Sequence, residues 1–453
     1  MTIEIKADFP SGKSRFTALA PLAVLVLPLG FVACGSSSDA FDASSGGGSS
    51  ANAGSSVGGS LANAGGSFGG SSASGGSSFG GTSSVSSGGS AAVLGAANNG
   101  GGSSVGGGVA VAGQGSAVGG ASAQAGAPAA SGEPPSCAPG GPGMNTCGPA
   151  GTESCCTSLP VAAGTFSRTY SNNGSGATGK ADPATISAFR LDKYEATVGR
   201  LRQFVNYLAA GGALPAAGSG KHSHLNGGKG LADGSKAGSF EPGWSSSWNS
   251  NLPAGTSAVA TWTKNLACST GTYGTWSAKA GSNETLPITC LDWYEALGFC
   301  IWDGGFLPSE AEWEYAAAGG DEQRMYPWGS TAPGTDSKYA MYDCYYPTGK
   351  AGNCTSLANV AKVGTTTLGA GRFGQLDLSG SVWEWDLDVY SAKYDNPCTD
   401  CANLSGGTDR VLPGGGFHTG LMPYMLSSNR TSLNYATTYR GDYGVGVRCA
   451  RVP

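Results

Sequence analysis

Three groups of residues in this sequence have side chains suited to chemistry. Glu310, Glu312 and Glu314 lie two apart, and paired carboxylates can divide general-acid from general-base work. Their position argues for another role. Ser309 stands just before them and Glu312 follows it by three residues, the spacing at which a hydroxyl and a carboxylate cap the first turn of a helix. Glu310 and Glu312 then favour the positive helix start, and Glu314 is left to hold a backbone or Arg partner. His222 and His224 sit two apart in a Gly-rich loop. Imidazole is a metal ligand, but no third ligand lies nearby, so the pair reads as structural. The third group is thirteen cysteines. One further match, Gly102-Ser103-Ser104-Val105-Gly106, fits a nucleophile-elbow pattern. It lies in a low-complexity tract with no strand or helix to flank it, so it carries no chemistry.

The cysteines point to an oxidising compartment, and the start of the chain agrees. Lys6, Lys13 and Arg15 precede an uncharged run from Phe16 to Ala33 rich in Ala, Leu, Val and Pro. It ends in Phe31-Val32-Ala33-Cys34-Gly35, which resembles a bacterial lipobox with Phe31 where Leu is usual. That resemblance implies cleavage before Cys34, lipidation of its thiol, and an exported, membrane-anchored lipoprotein in the periplasm or on the cell surface. The alternatives are an ordinary signal peptide or one membrane-spanning helix. Removing Cys34 leaves twelve cysteines, an even number that suits a fully paired framework.

Four segments follow from composition. Residues 1–33 are the signal segment. Residues 34–132 are almost entirely Gly, Ser, Ala and Val, too poor in apolar bulk to offset ordering entropy. They read as a disordered tether with an r.m.s. span on the order of 55 Å. Residues 133–160 hold Pro134, Pro135, Cys137, Cys147, Cys155 and Cys156 and read as a disulfide-stapled neck, since the spacings fit no common zinc pattern. Residues 161–453 carry the aromatics and carboxylates of a globular domain near the upper size for one core. Net charge is −5 and charged residues are only 12%, which excludes the basic face that nucleic acid requires.

Three helices must position the domain's functional groups. Leu201, Phe204, Val205 and Leu208 repeat at helical spacing within Thr197 to Ala210, which stops at Gly211-Gly212. Asp292 and Glu295 open a helix to Trp302, and Ser309 and Glu312 open another that runs to Ala318 and ends at Gly319-Gly320. The remaining chain is short apolar runs broken by Gly, Asn and Asp. The expected class is α+β with little regular secondary structure.

Six blocks then carry a specific resemblance. They are Asp192-Lys193-Tyr194-Glu195-Ala196-Thr197; Leu286-Pro287-Ile288 with Asp292-Trp293; Leu307-Pro308-Ser309-Glu310-Ala311-Glu312-Trp313-Glu314-Tyr315; Tyr326-Pro327-Trp328-Gly329; Gly380-Ser381-Val382-Trp383-Glu384-Trp385; and Pro413-Gly414-Gly415-Gly416 with Arg430 and Gly446-Val447-Arg448-Cys449. In this order they resemble the formylglycine-generating-enzyme (sulfatase-modifying factor) family. The resemblance implies a fold related to C-type lectins. It also implies a copper ion held by two thiolates five residues apart, a sensible pairing because soft thiolates select Cu(I). Those thiolates would fall on Thr419 and Tyr424, neither of which can replace one, so copper and the oxidase chemistry are not expected. Gly416 stands for the motif's Ser and Pro413 for its Arg. His418 is the one His in that region, a candidate acid/base or ligand, though a lone His is more often structural. Calcium, a hard cation suited to oxygen ligands, is implied at Glu384 with carbonyls near Gly380 and Val382; the usual Asn is Ser381. The family's other calcium site would fall on Met341. The family also joins Cys300 to Cys449, while a second family bridge would need cysteines at Ala317 and Asn429. Local spacings suggest Cys344–Cys354, Cys398–Cys401 and Cys268–Cys290.

Two readings of function stand side by side. One is a lipid-anchored binding or scaffold module for a protein, peptide or glycan. The other is a formylglycine-generating oxidase or another oxidoreductase acting on an exported protein or a small molecule. The missing thiolate pair separates them.

Overall fold

The computed structural model of the protein describes residues 133–453 apart from 269–271, 353, 421, 431–433 and 442–443. The signal segment, Cys34 and the tether lie outside the described residues. Among the described residues no helix is long and apolar enough to cross a membrane.

Four strands come first: β1 (Ser158–Val161), β2 (Gly164–Asn172), β3 (Ala177–Ile186) and β4 (Phe189–Asp192). β2 and β3 form an antiparallel hairpin. Phe166, Tyr170, Ala184 and Ile186 turn inward from it and are buried, the pattern of a sheet with one wet face. Gly174 and Gly176 turn the hairpin with φ of 94° and 109°, conformations open to glycine at little steric cost.

Next come α1 (Val198–Ala209), β5 (Ala232–Asp233), α2 (Ala258–Asn265), α3 (Trp293–Trp302) and α4 (Glu310–Ala317). Thr197 caps α1 by accepting from Arg200 N. α3 and α4 both start with complete capping boxes, Asp292 with Glu295 and Ser309 with Glu312, where the sequence placed them. After α4 the strands are brief: β6 (Trp383–Glu384), β7 (Cys398–Thr399), β8 (Cys401–Ala402), β9 (Asp409–Val411), β10 (Asn434–Ala436), β11 (Val445–Gly446) and β12 (Ala450–Arg451). They pair as β1-β4-β12, β2-β3-β7, β9-β10, β6-β11 and β5-β8. The class is α+β with long irregular connections.

The helical core gathers Leu201, Phe204, Leu208, Trp262, Trp293 and Phe299. A second cluster packs the β2–β3 hairpin on α4 through Phe166, Ile186, Trp313 and Tyr315. Six disulfides cross this framework: Cys137–Cys156, Cys147–Cys155, Cys268–Cys290, Cys300–Cys449, Cys344–Cys354 and Cys398–Cys401. The Cys300–Cys449 bond ties α3 to the chain just before β12.

Segment 133–160 is packed into the domain rather than standing off as a neck. Fully buried Arg200 donates to Ser136 Oγ at 3.0 Å and to the Cys155 carbonyl at 3.1 Å, and pairs with Asp192 and Asp303. Gly143 lies so close to the Glu284 carbonyl that a Cβ there would sit 1.7 Å from its oxygen. The physical reason is charge. Arg200, Asp192 and Asp303 are buried together, and Ser136 and the Cys155 carbonyl join Arg451 in completing their hydrogen bonds.

Candidate functional site

The glycine turn after β9 is the place where the family pattern puts thiolates. Gly414 and Gly415 take φ of 95° and 76°, left-handed values that glycine adopts readily. Thr419 is buried and already committed: its Oγ1 accepts from Gly416 N at 2.9 Å, and its carbonyl accepts from Asp343 N. The Tyr424 ring packs edge-on against Trp383, 5.6 Å between centroids. His418 packs beside Phe417, and burial pushes its imidazole down to about 4, so it stays neutral at neutral pH. All twelve cysteines among the described residues are in disulfides. The donor set here is a hydroxyl, a phenol and a neutral imidazole, which does not fit Cu(I).

The loop from Gly380 to Glu384 does not fit calcium. Glu384 is buried, and its two oxygens already accept from Arg448 at 2.9–3.2 Å and from Trp313 Nε1 at 2.7 Å. Arg448 supplies the positive charge that a metal would bring. Its remaining donors reach the carbonyls of Asp192, Lys193 and Leu376. Val382 N and Ser381 Oγ donate to Glu195. Burial, with the charges of Asp377 and Glu384, pushes the Glu195 carboxyl well above the usual range. Met341 is buried and its carbonyl accepts from Ser381 N. Among the described residues no three His, Cys, Asp or Glu side chains converge as metal ligands.

The capping carboxylates have separate duties. Glu312 closes its capping box, and Glu310 pairs with Arg430 through both oxygens. Glu314 is buried and accepts from Tyr394 Oη at 3.1 Å. Burial, then the neighbouring Glu310, push the Glu314 carboxyl well above the usual range. Above it opens a groove of ≈ 540 Å³ walled by Tyr170, Tyr390 and Tyr394 with Arg168, Arg430 and Asp182. Both guanidiniums stack over the Tyr394 ring, Arg168 at 4.3 Å and Arg430 at 4.1 Å from its centroid. Such cation–π contacts hold the Tyr394 ring in place. A smaller cavity shares Tyr394 and Arg430 with the groove and is lined by Trp313, Leu412 and Pro413. The groove therefore adjoins the glycine turn. It offers aromatic rings, charges of both signs and hydrogen-bonding groups. Arg430 stands out in the sequence, whereas Arg168, Tyr390 and Tyr394 do not. They come from β2 and from the irregular stretch after β6, and no local spacing connects them.

The two loop histidines part company. His222 is fully buried between two carboxylates, Nδ1 2.9 Å from Glu241 and Nε2 2.9 Å from Glu312. Burial alone would lower its pKa, but Glu312 and Glu241 raise it to about 10. It is an imidazolium that ties the Gly-rich loop to the start of α4. His224 is only half-buried, and its ring stacks on Phe306 at 5.9 Å. The carboxylates were the missing partners in the sequence, because Glu241 and Glu312 lie 19 and 90 residues away.

The sequence model for the sulfatase-modifying factor enzyme 1-like domain matches residues 144–453, so its match begins inside the Cys/Pro-rich segment. A formylglycine-generating enzyme from Thermomonospora curvata is 31% identical over 176 residues, covering 37% of this chain and 56% of that protein. The chain thus spans about half the length of that relative. A mouse protein named inactive C-alpha-formylglycine-generating enzyme 2 is 32% identical over 109 residues, covering 23% of this chain and 33% of its own length. Among solved structures, PvdO from Pseudomonas aeruginosa aligns with 65% of this chain and 94% of its own at 19% identity, with a TM-score of 0.39.

Proposed function

The chain belongs to the sulfatase-modifying factor enzyme 1-like domain family, and from that premise we propose that it is a binding or scaffold module without copper oxidase chemistry, exported and held at a membrane by lipid on Cys34. The observation that carries the reading is the state of the sulfur. Every cysteine among the described residues is in a disulfide, and Thr419 and Tyr424 occupy the thiolate positions with side chains already engaged. A Cu(I) site needs soft thiolates, and none is offered. The ligand surface is the groove beside Tyr394, whose aromatic faces and mixed charges suit a protein, peptide or glycan.

The test of the chemistry is direct. Purified protein mixed with Cu(I) under a competing chelator should retain no stoichiometric copper, and it should leave a Cys-x-Pro-x-Arg peptide unconverted. One equivalent of tightly held copper, or aldehyde formation above the blank, would return the oxidase reading.

The anchor has its own test. Cys34→Ser should move the protein from the membrane fraction to the soluble one and abolish incorporation of a fatty-acid analogue. Continued membrane retention would show instead that the apolar run before Cys34 is kept as a spanning helix.

A further inference from the structure

A second cavity lies apart from the glycine turn and the groove, and nothing above uses it. It holds about 100 Å³, the space of several waters. Its walls come from separate parts of the chain. Trp248 stands on the loop before α2, Trp293 and Leu297 on the first turns of α3, Leu387 just after β6, and Leu404 after β8. The two indoles meet edge to face at 5.5 Å. The lining also holds two charged residues, Glu241 and Arg410.

Both are buried, and both keep a polar atom with no partner. Glu241 is 3% exposed. Its Oε2 accepts from His222 N, His222 Nδ1 and Leu231 N, while its Oε1 is buried and unpartnered. Arg410 lies over the Trp293 ring at 3.8 Å and donates from Nη1 to the Leu387 carbonyl, while its Nε is buried and unpartnered. A buried group left without a hydrogen bond is destabilising, more so when charged. The wall beside these two residues is formed by two indoles and three leucines, with Gly220, Pro242 and Gly243.

We infer that the cavity is a binding site for a small apolar zwitterion, an α-amino acid with an aliphatic side chain. The ammonium would donate to Glu241 Oε1, the carboxylate would accept from Arg410 Nε, and the side chain would lie against Trp248, Trp293 and the leucines. An apolar pocket with a few convergent polar groups is the usual form of a small-molecule site. This site stands on observations independent of the copper reading and of the groove.

The experiment uses three probes of one shape: L-leucine, isoamylamine and 4-methylpentanoate. Each is titrated into the purified chain by calorimetry and followed by tryptophan fluorescence. L-leucine should bind with one equivalent. The amine and the acid should each bind at least tenfold more weakly, since each gives up one hydrogen bond to a charged group. Leu404→Trp should fill the cavity and abolish binding while the protein stays folded. Arg410→Met keeps an apolar stem over Trp293 and should cost L-leucine at least tenfold while leaving the amine unchanged; if that variant does not fold, Leu404→Trp alone decides. Three results would overturn the inference: no binding of any probe, equal binding of all three, or L-leucine binding that survives Leu404→Trp.

Discussion

Arg448→Met should be among the most destabilising single changes available in this domain, at about 3–5 kcal/mol, the range for removing one partner of a buried ion pair. The guanidinium is fully buried and makes hydrogen bonds to Glu384 and to three backbone carbonyls. Methionine fills much of the same space, so the loss reports charge and hydrogen bonding more than a cavity. Glu384 would be left buried beside Glu195 and Asp377 with no cation, and the three carbonyls would lose their donor. Chemical denaturation of the variant, of Glu384→Gln and of the double variant measures this. The double variant should be less damaged than the sum of the singles, because neutralising Glu384 removes the stranded charge. Millimolar calcium should leave the native midpoint where it is. Strictly additive losses would mean that the pair is not coupled, and a calcium-dependent rise would restore the metal reading of this loop.

His222→Gln should be nearly as costly, about 3 kcal/mol at neutral pH, the low end for removing one partner of a buried ion pair, and it has a pH signature that a packing defect lacks. The imidazolium separates two buried carboxylates, Glu241 and Glu312. Burial would raise the Glu312 carboxyl, but the charge and hydrogen bond of His222 hold it below the usual range. Removing His222 strands both. The folded imidazolium holds its proton to about pH 10, whereas an unfolded histidine releases it near pH 6.5. Between these values the folded state binds the extra proton, so stability must fall as pH rises. The contribution is complete below about pH 6.5 and is lost by about pH 10. Denaturation midpoints of the native protein should decline across that window, and the decline attributable to this group should be missing in His222→Gln. Parallel pH profiles for the two proteins would show that His222 is not an ion there.

How much of this was written in the sequence differs between elements. The starts of α3 and α4 were legible because a capping box is local, and both partners lie within three residues of each other. The face of α1 was legible because Leu201, Phe204, Val205 and Leu208 repeat with the helix. α2 escaped notice, since it is eight residues long and buries only Ala258 and Trp262. The β2–β3 hairpin escaped too. Its alternation is diluted by Ser, Thr, Gly and Lys on the wet face, and one bulge breaks its register.

The site divides along the same line. Thr419 and Tyr424 could be placed by counting from Gly414 and Gly415, because side-chain identity at a fixed offset is local information. That alone argued against copper. What occupied the calcium loop could not be read, because Glu384 meets its cation 64 residues away in Arg448. The same holds for the His222 clasp, for the Tyr394 platform between Arg168 and Arg430, and for the cavity between Glu241 and Arg410. Sequence by itself determined which groups exist and how each short segment begins and ends. Tertiary structure decided which charges face one another, because in a buried setting the partner that neutralises an ion is chosen by proximity in space, and the chain between the two is free to be any length.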